Sequence, residues 1–195
     1  SVVKPSFAGH SQGIKDEIRG IAEGCKERNP NTKVGIGELM ALNIGFDIIL
    51  AMVYTGTFLM SGVFRLLPFD FKIPLMCNAF SVFGELAGGG HYFGRDFMFP
   101  SAGVFHRTAT MIICNPVNEN GLNSYPFVSV TAPGIVGSIS AMNIKGVAIG
   151  VDMSPGFNCS PKNIGVNSLV LCRECIQHGA DCEEIVKTVS DTKRG

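Results

Sequence analysis

Two short runs carry residues able to do nucleophilic chemistry. The first begins Cys77-Asn-Ala-Phe-Ser-Val, and the second, His91 to Met98, holds Arg95 and Asp96 side by side. Strand alternation puts Cys77, Ala79 and Ser81 on one face and Asn78, Phe80 and Val82 on the other, where Phe80 and Val82 are expected to anchor a core. In the second run Phe93, Arg95 and Phe97 share one face, while Tyr92, Gly94 and Asp96 share the other. A guanidinium turned toward a thiol favours the thiolate, which is the nucleophilic form. A buried, inert cysteine beside an Arg–Asp pair at a sheet edge fits the same residues. These residue types alone leave both readings open.

Other chemistry-bearing residues point to structure. Cys172, Cys175 and Cys182 give C-x2-C-x6-C with Cys159 upstream, which invites a zinc reading. The first two fall in a helical segment and no second C-x-x-C exists, so no metal is expected. His10, His91, His106 and His178 are scattered, and His106 is expected near a strand start. Asn143, in Met-Asn-Ile-Lys-Gly, has the residue type of a tight turn. The glycines of GELAGGG precede no helix, so they form a hairpin turn and not a phosphate cradle, and no cofactor is implied.

The elements that must position these residues follow from patterning. Ile14, Ile18, Ile21 and Cys25 recur at helical spacing, and Asn29-Pro30 ends that helix. A second helix is expected from Gly37-Glu38 to about Tyr54. Strands are expected at 77–84, 91–98, 108–114, 126–132, 135–142 and 146–152, separated by Gly-, Pro- and Asn-rich turns. Two helices follow: Ser168 to Ala180, with Leu169, Cys172 and Ile176 on one face, and Asp181 to Val189. In the second, Asp181 and Glu184 form a capping box. Helices, then strands, then helices make an α+β plan and not a βαβ repeat.

The composition bounds the partners. With 195 residues the chain is long enough for one cored domain, and its 16 basic and 16 acidic residues cancel. No basic cluster suggests nucleic acid. Seven cysteines are an odd number, which favours a reducing, cytoplasmic setting over a disulfide framework. The apolar run Leu39 to Phe64 is long enough to span a bilayer, but Asn43, Asp47 and three glycines interrupt it. A buried helix and loop is the expectation, and a membrane segment is the weaker alternative.

Cys77 opening a strand, the turn, and then Gly94-Arg95-Asp96-Phe97 resemble the head of the cysteine N-terminal-nucleophile hydrolases. The likeness is to the penicillin acyltransferase-like family and, more distantly, to choloylglycine hydrolases and penicillin V acylases. Pro126 to Met153 is similar to that family's central hairpin, and Asn163 to Val189 to the helix pair that follows. The segments EIRGIAEGCKE and ELMALNIGFDI look like its helical leader.

The resemblance implies part of an αββα sandwich, with residues 1–76 as a leader and 77–195 as the first half of the hydrolase domain, the chain ending before later strands. It implies a zymogen cut between Met76 and Cys77. The new α-amino group would then serve as base for the thiol. The substrate would be a small-molecule amide, attacked through a thioester, with an apolar acyl group against Phe93, Phe97 and Phe99. Arg95 would orient the nucleophile, and Asp152 would face the oxyanion or substrate. The family's usual acid falls three positions after the arginine, where Met98 stands here. Asp96 would take that role if a bulge turned it inward. A homo-oligomer is left open, as is a catalytically silent relative that binds a ligand or partner.

Overall fold

The computed structural model describes residues 9–45, 47, 77–98, 103–118, 121–152 and 165–193. Helix α1 is Gln12–Arg28, with Ser11 as its cap and Ile14, Ile18 and Ala22 on its buried face. Helix α2 covers 36–45, with residue 47 also helical. The Gly35 N–H donates to the Glu38 carboxylate at 3.1 Å, closing its first turn. Strands β1 (Asn78–Phe83) and β2 (His91–Asp96) form an antiparallel hairpin. A short helix α3 (Phe105–Thr108) precedes a four-stranded antiparallel meander of β3 (Thr110–Cys114), β4 (Phe127–Thr131), β5 (Ser140–Asn143) and β6 (Ala148–Gly150). Helices α4 (Ser168–His178) and α5 (Cys182–Asp191) follow. The architecture is mixed α+β with antiparallel sheets.

Helix α4 is the centre of the packing. Its Val170 joins Ile14, Ile18, Leu39, Met40 and Val136. Its Leu169 joins Ala132, Ile135 and Ile139. Its Ile176 joins Phe127, Ala141 and Val147. Each such aliphatic side chain contributes roughly 1.5–3 kcal/mol when fully buried. The first two helices therefore share a core with residues 136 and 170, across the expected boundary at residue 76.

The polar residues inside the apolar run have assigned work. Buried Asn43 donates to the carbonyls of Leu39 (2.9 Å) and Gly134 (2.8 Å), and accepts from the Val136 N–H (2.8 Å). Asp47 accepts from the Ser168 N–H at 2.8 Å and from its hydroxyl, at the start of α4. No helix of the described residues is long and apolar enough to cross a membrane. The remainder of the 39–64 run, apart from residue 47, lies outside them beyond residue 45.

Several expectations are corrected. The strand expected over 135–142 begins only at Ser140. Residues 132–139 form an irregular segment, buried over 135–139, turning at Gly134 (φ +85°) and fixed by the Ser138 N–H on the Leu169 carbonyl (2.9 Å). That tertiary bond supplies what a strand partner otherwise would. The strand expected from 108 begins at Thr110, because α3 occupies the residues before it. His106 is exposed within α3 and not at a strand start. Cys172 is only half-buried, and Val170, Leu171 and Cys175 take the inner positions with Leu169 and Ile176.

Candidate active site

The hairpin is regular. Ala79 pairs with Arg95, Phe80 with Gly94 and Asn78 with Asp96, with no bulge in the ladder. Gly84 (φ +70°) starts the reversal, a 3-10 turn spans Gly84–Ala87, and Gly88 and Gly89 also take positive φ, which explains the glycine cluster. Directly opposed residues in an antiparallel pair project to the same face, so Ala79 and Arg95 share one. By alternation Cys77, which is half-buried just before β1, belongs to that face also.

Asp96 is exposed and belongs to the other face, with Asn78. The regular register removes the bulge that would have turned it inward. Phe80 does not anchor a core among the described residues. It remains 63% exposed, with its ring lying over Gly94, where a Cβ would come within 2.2 Å of it.

Arg95 ties the hairpin to the meander. Its side chain is 4% exposed. Nη1 donates to Ser140 Oγ at 2.8 Å, Nη2 donates to Asp152 Oδ1 at 3.2 Å, and the guanidinium carbon lies 5.2 Å from the Phe97 ring centre. Asp152, just past β6, is half-exposed. Arg95 and Asp152 are thus brought together, and Ser140 joins them. The sequence reading missed this serine, because nothing in its local pattern distinguishes it from any strand serine.

Beside this junction lies an open cavity of about 1130 Å³ between the hairpin and the outer face of the meander. Phe93, Arg95 and Phe97 line it from the hairpin, and Met111, Val130 and Ile139 contribute from the other side. The lining is mostly apolar, which suits an apolar ligand with few polar anchors. Cys77, Asp96 and Asp152 are not among its described lining residues. Phe99 and Met76, the other side of the expected cut, lie outside the described residues.

The other polar and thiol side chains singled out by the sequence have structural explanations. Buried Asn143 donates to the carbonyls of Ile176 (3.0 Å) and Gly179 (2.8 Å) and accepts from the N–H groups of Lys145 (3.0 Å) and Val147 (3.2 Å). It closes the β5–β6 turn and pins it to α4. Burial pushes the Cys172 thiol up to about 12 and Cys175 up to about 11, and also raises Cys114. These three are poor nucleophiles at neutral pH. Among the described residues no three His, Cys, Asp or Glu side chains group to hold a metal ion. Cys159 lies outside them.

A polar cluster joins α1 to α4. Ser11 donates to Glu174 at 2.6 Å, and His178 Nε2 lies 3.4 Å from the other Glu174 oxygen. Ser124 Oγ is 3.4 Å from His178 Nδ1, so serine, histidine and glutamate fall in sequence. They do not make a triad. Nδ1 sits 2.8 Å from the Asn123 carbonyl, which only accepts, so Nδ1 is protonated and cannot take a proton from the serine.

The chain is 33% identical over 183 residues to an uncharacterized protein of Archaeoglobus fulgidus, an alignment covering 93% of this chain. It spans 28% of that relative's length. No protein-family model matches the chain. No solved structure matches it either.

Proposed function

We propose that the chain is part of a cysteine N-terminal-nucleophile hydrolase or acyltransferase of the penicillin acyltransferase-like kind, acting in the cytoplasm on non-peptide amide bonds. In this reading the two sheets belong to an αββα sandwich. What carries it is the buried Arg95, paired with the first strand after Cys77 and clamped to Ser140 and Asp152. A guanidinium of this kind, on the face that alternation gives to the cysteine, supplies the fixed positive charge that a thiolate needs.

Activation cuts the chain before Cys77 and frees its α-amino group. That amine takes the thiol proton, and the sulfur attacks the substrate's carbonyl carbon. A C–S bond forms, and the oxyanion then collapses. The C–N bond breaks, and the amine leaves with the proton returned by the α-ammonium group. Water or another acceptor attacks the thioester, the C–S bond breaks, and thiol and acyl product are released. The apolar lining beside Arg95 suits the acyl portion. Intact mass of freshly expressed full-length protein tests this: loss of everything before Cys77 in the wild type, and none in Cys77→Ala, is the expected result.

A second reading is favoured by one observation. Asp96 is turned to the opposite face and Met98 occupies the family's usual acid position, so no described carboxylate stands in the place of that acid. A silent member would retain the cavity as a binding site for a small molecule or partner. A thiol probe at neutral pH separates the two, since selective labelling of Cys77 requires an activated sulfur.

A further inference from the structure

Arg95 reaches the meander at one particular rung. Ser140 on β5 and Gly150 on β6 are direct cross-strand partners. Ser140 accepts from the guanidinium at 2.8 Å. A Cβ built on Gly150 would stand 2.5 Å from both Cδ and Nε of Arg95, closer than any side chain tolerates. The arginine stem therefore lies on the bare backbone of residue 150 while its tip extends to Ser140 and Asp152. Gly150 has no positive φ to explain its identity, so the close approach is what requires glycine. Nε, buried in this slot, has no hydrogen-bond partner among the described residues, so the stem's placement is set by packing and by the two Nη contacts.

We propose that the Ser140–Gly150 rung is a receptor slot that positions Arg95, and that through it the meander fixes the guanidinium against the strand that Cys77 heads. Ser140 and Gly150 are positioning residues in this account. They act through the direction in which Arg95 points, Ser140 from the wall of the cavity and Gly150 from behind the stem. A larger residue at 150 expels the stem. Loss of the hydroxyl at 140 leaves Nη1 without its acceptor and frees the tip to swing. The inference rests on the proposed role of Arg95 beside a reactive Cys77, but the slot itself can be read independently of that role.

The test uses full-length protein labelled with 15N-arginine, with Ser140→Ala, Gly150→Ala and Ser140→Thr. In the wild type the Arg95 Nε–H resonance is expected to be slow in solvent exchange, as a buried proton is. Ser140→Ala and Gly150→Ala should each accelerate that exchange at least tenfold and move the pH–rate profile of Cys77 alkylation to higher pH. Ser140→Thr, which keeps the hydroxyl, should restore both. Should Gly150→Ala fail to fold by circular dichroism, the serine pair carries the comparison. Unchanged Arg95 exchange in Ser140→Ala, or in a folded Gly150→Ala, overturns the slot. Faster exchange with an unmoved alkylation profile upholds the slot and overturns its link to Cys77. A wild-type Cys77 no more reactive than the exposed Cys182 defeats the hydrolase reading while the arginine exchange still decides the slot.

Discussion

Arg95 and Asp152 meet at 3.2 Å across 57 positions of sequence, joining the hairpin of the candidate nucleophile to the segment just past the last strand of the meander. The arginine is almost wholly buried and the aspartate half-exposed, so the pair is asymmetric. Removing the carboxylate strands a buried cation, whereas the reverse change leaves an acid that water can reach. Asp152→Ala is therefore expected to lower stability by about 1.5–3 kcal/mol. Arg95→Met, of similar length and apolar, should cost less. Urea unfolding of the two variants checks the order, and a larger loss for Arg95→Met would contradict it.

Asn143 makes four hydrogen bonds from a buried position, two across to α4 and two within its own turn. Asn143→Ala orphans all four backbone partners and is expected to cost about 3 kcal/mol or more. Urea denaturation reads the loss. Thiol reactivity at Cys77 should be unaffected under native conditions, which distinguishes a turn residue from a catalytic one.

Gly137 lies directly on α4, where a Cβ would come within 2.6 Å of the Leu169 Cβ and carbonyl carbon. Helix backbone cannot yield as a flexible side chain does. Gly137→Ala should destabilise by about 1–3 kcal/mol through overpacking, whereas Gly20→Ala, in open space inside α1, should stabilise by about 0.5–1 kcal/mol. Thermal melts of the pair make the comparison.

Acid stability should divide by residue. Burial alone would raise the Glu174 carboxyl, but hydrogen bonds from His178 and Ser11 and the charges of His178 and Arg173 outweigh it, so it titrates below its usual 4.5. A depressed acid stabilises the fold above its unfolded pKa, and that contribution is lost as pH falls through the folded value. His10, lowered from 6.5 chiefly by burial, adds to the loss on acidification, because the unfolded imidazole protonates first. Asp47 runs the other way. Burial raises it above 3.8 despite the Ser168 bonds, so its contribution falls as pH climbs through the folded value. Glu174→Gln should flatten the acid limb of a melting-temperature curve, and Asp47→Asn should remove the opposing slope.

Much of the fold is legible in the sequence because its signals are local. Asp181 caps the last helix in the box its spacing to Glu184 suggests, and Ile14 and Ile18 mark a buried stripe. The hairpin's two faces follow from alternation once the glycine turn sets the register. What was not legible depends on distant contacts. Residues 135–139 have a strand's composition, yet Asn43 and Leu169 take their backbone hydrogen bonds. Ser140 gains its role only because Arg95 arrives from another sheet. Phe80 looked like a core anchor, and alternation alone could not say whether anything covers its face.

The nucleophile itself admits the most direct test, which is the N-terminal residue and intact mass of the full-length protein after expression. The account predicts a chain that starts at Cys77, with wild-type Cys77 labelled ahead of Cys114, Cys172 and Cys175, whose thiols burial suppresses. A Cys77→Ala protein should remain uncut. A wild-type chain that stays joined through residue 77, with its sulfur no more reactive than those three, would contradict it.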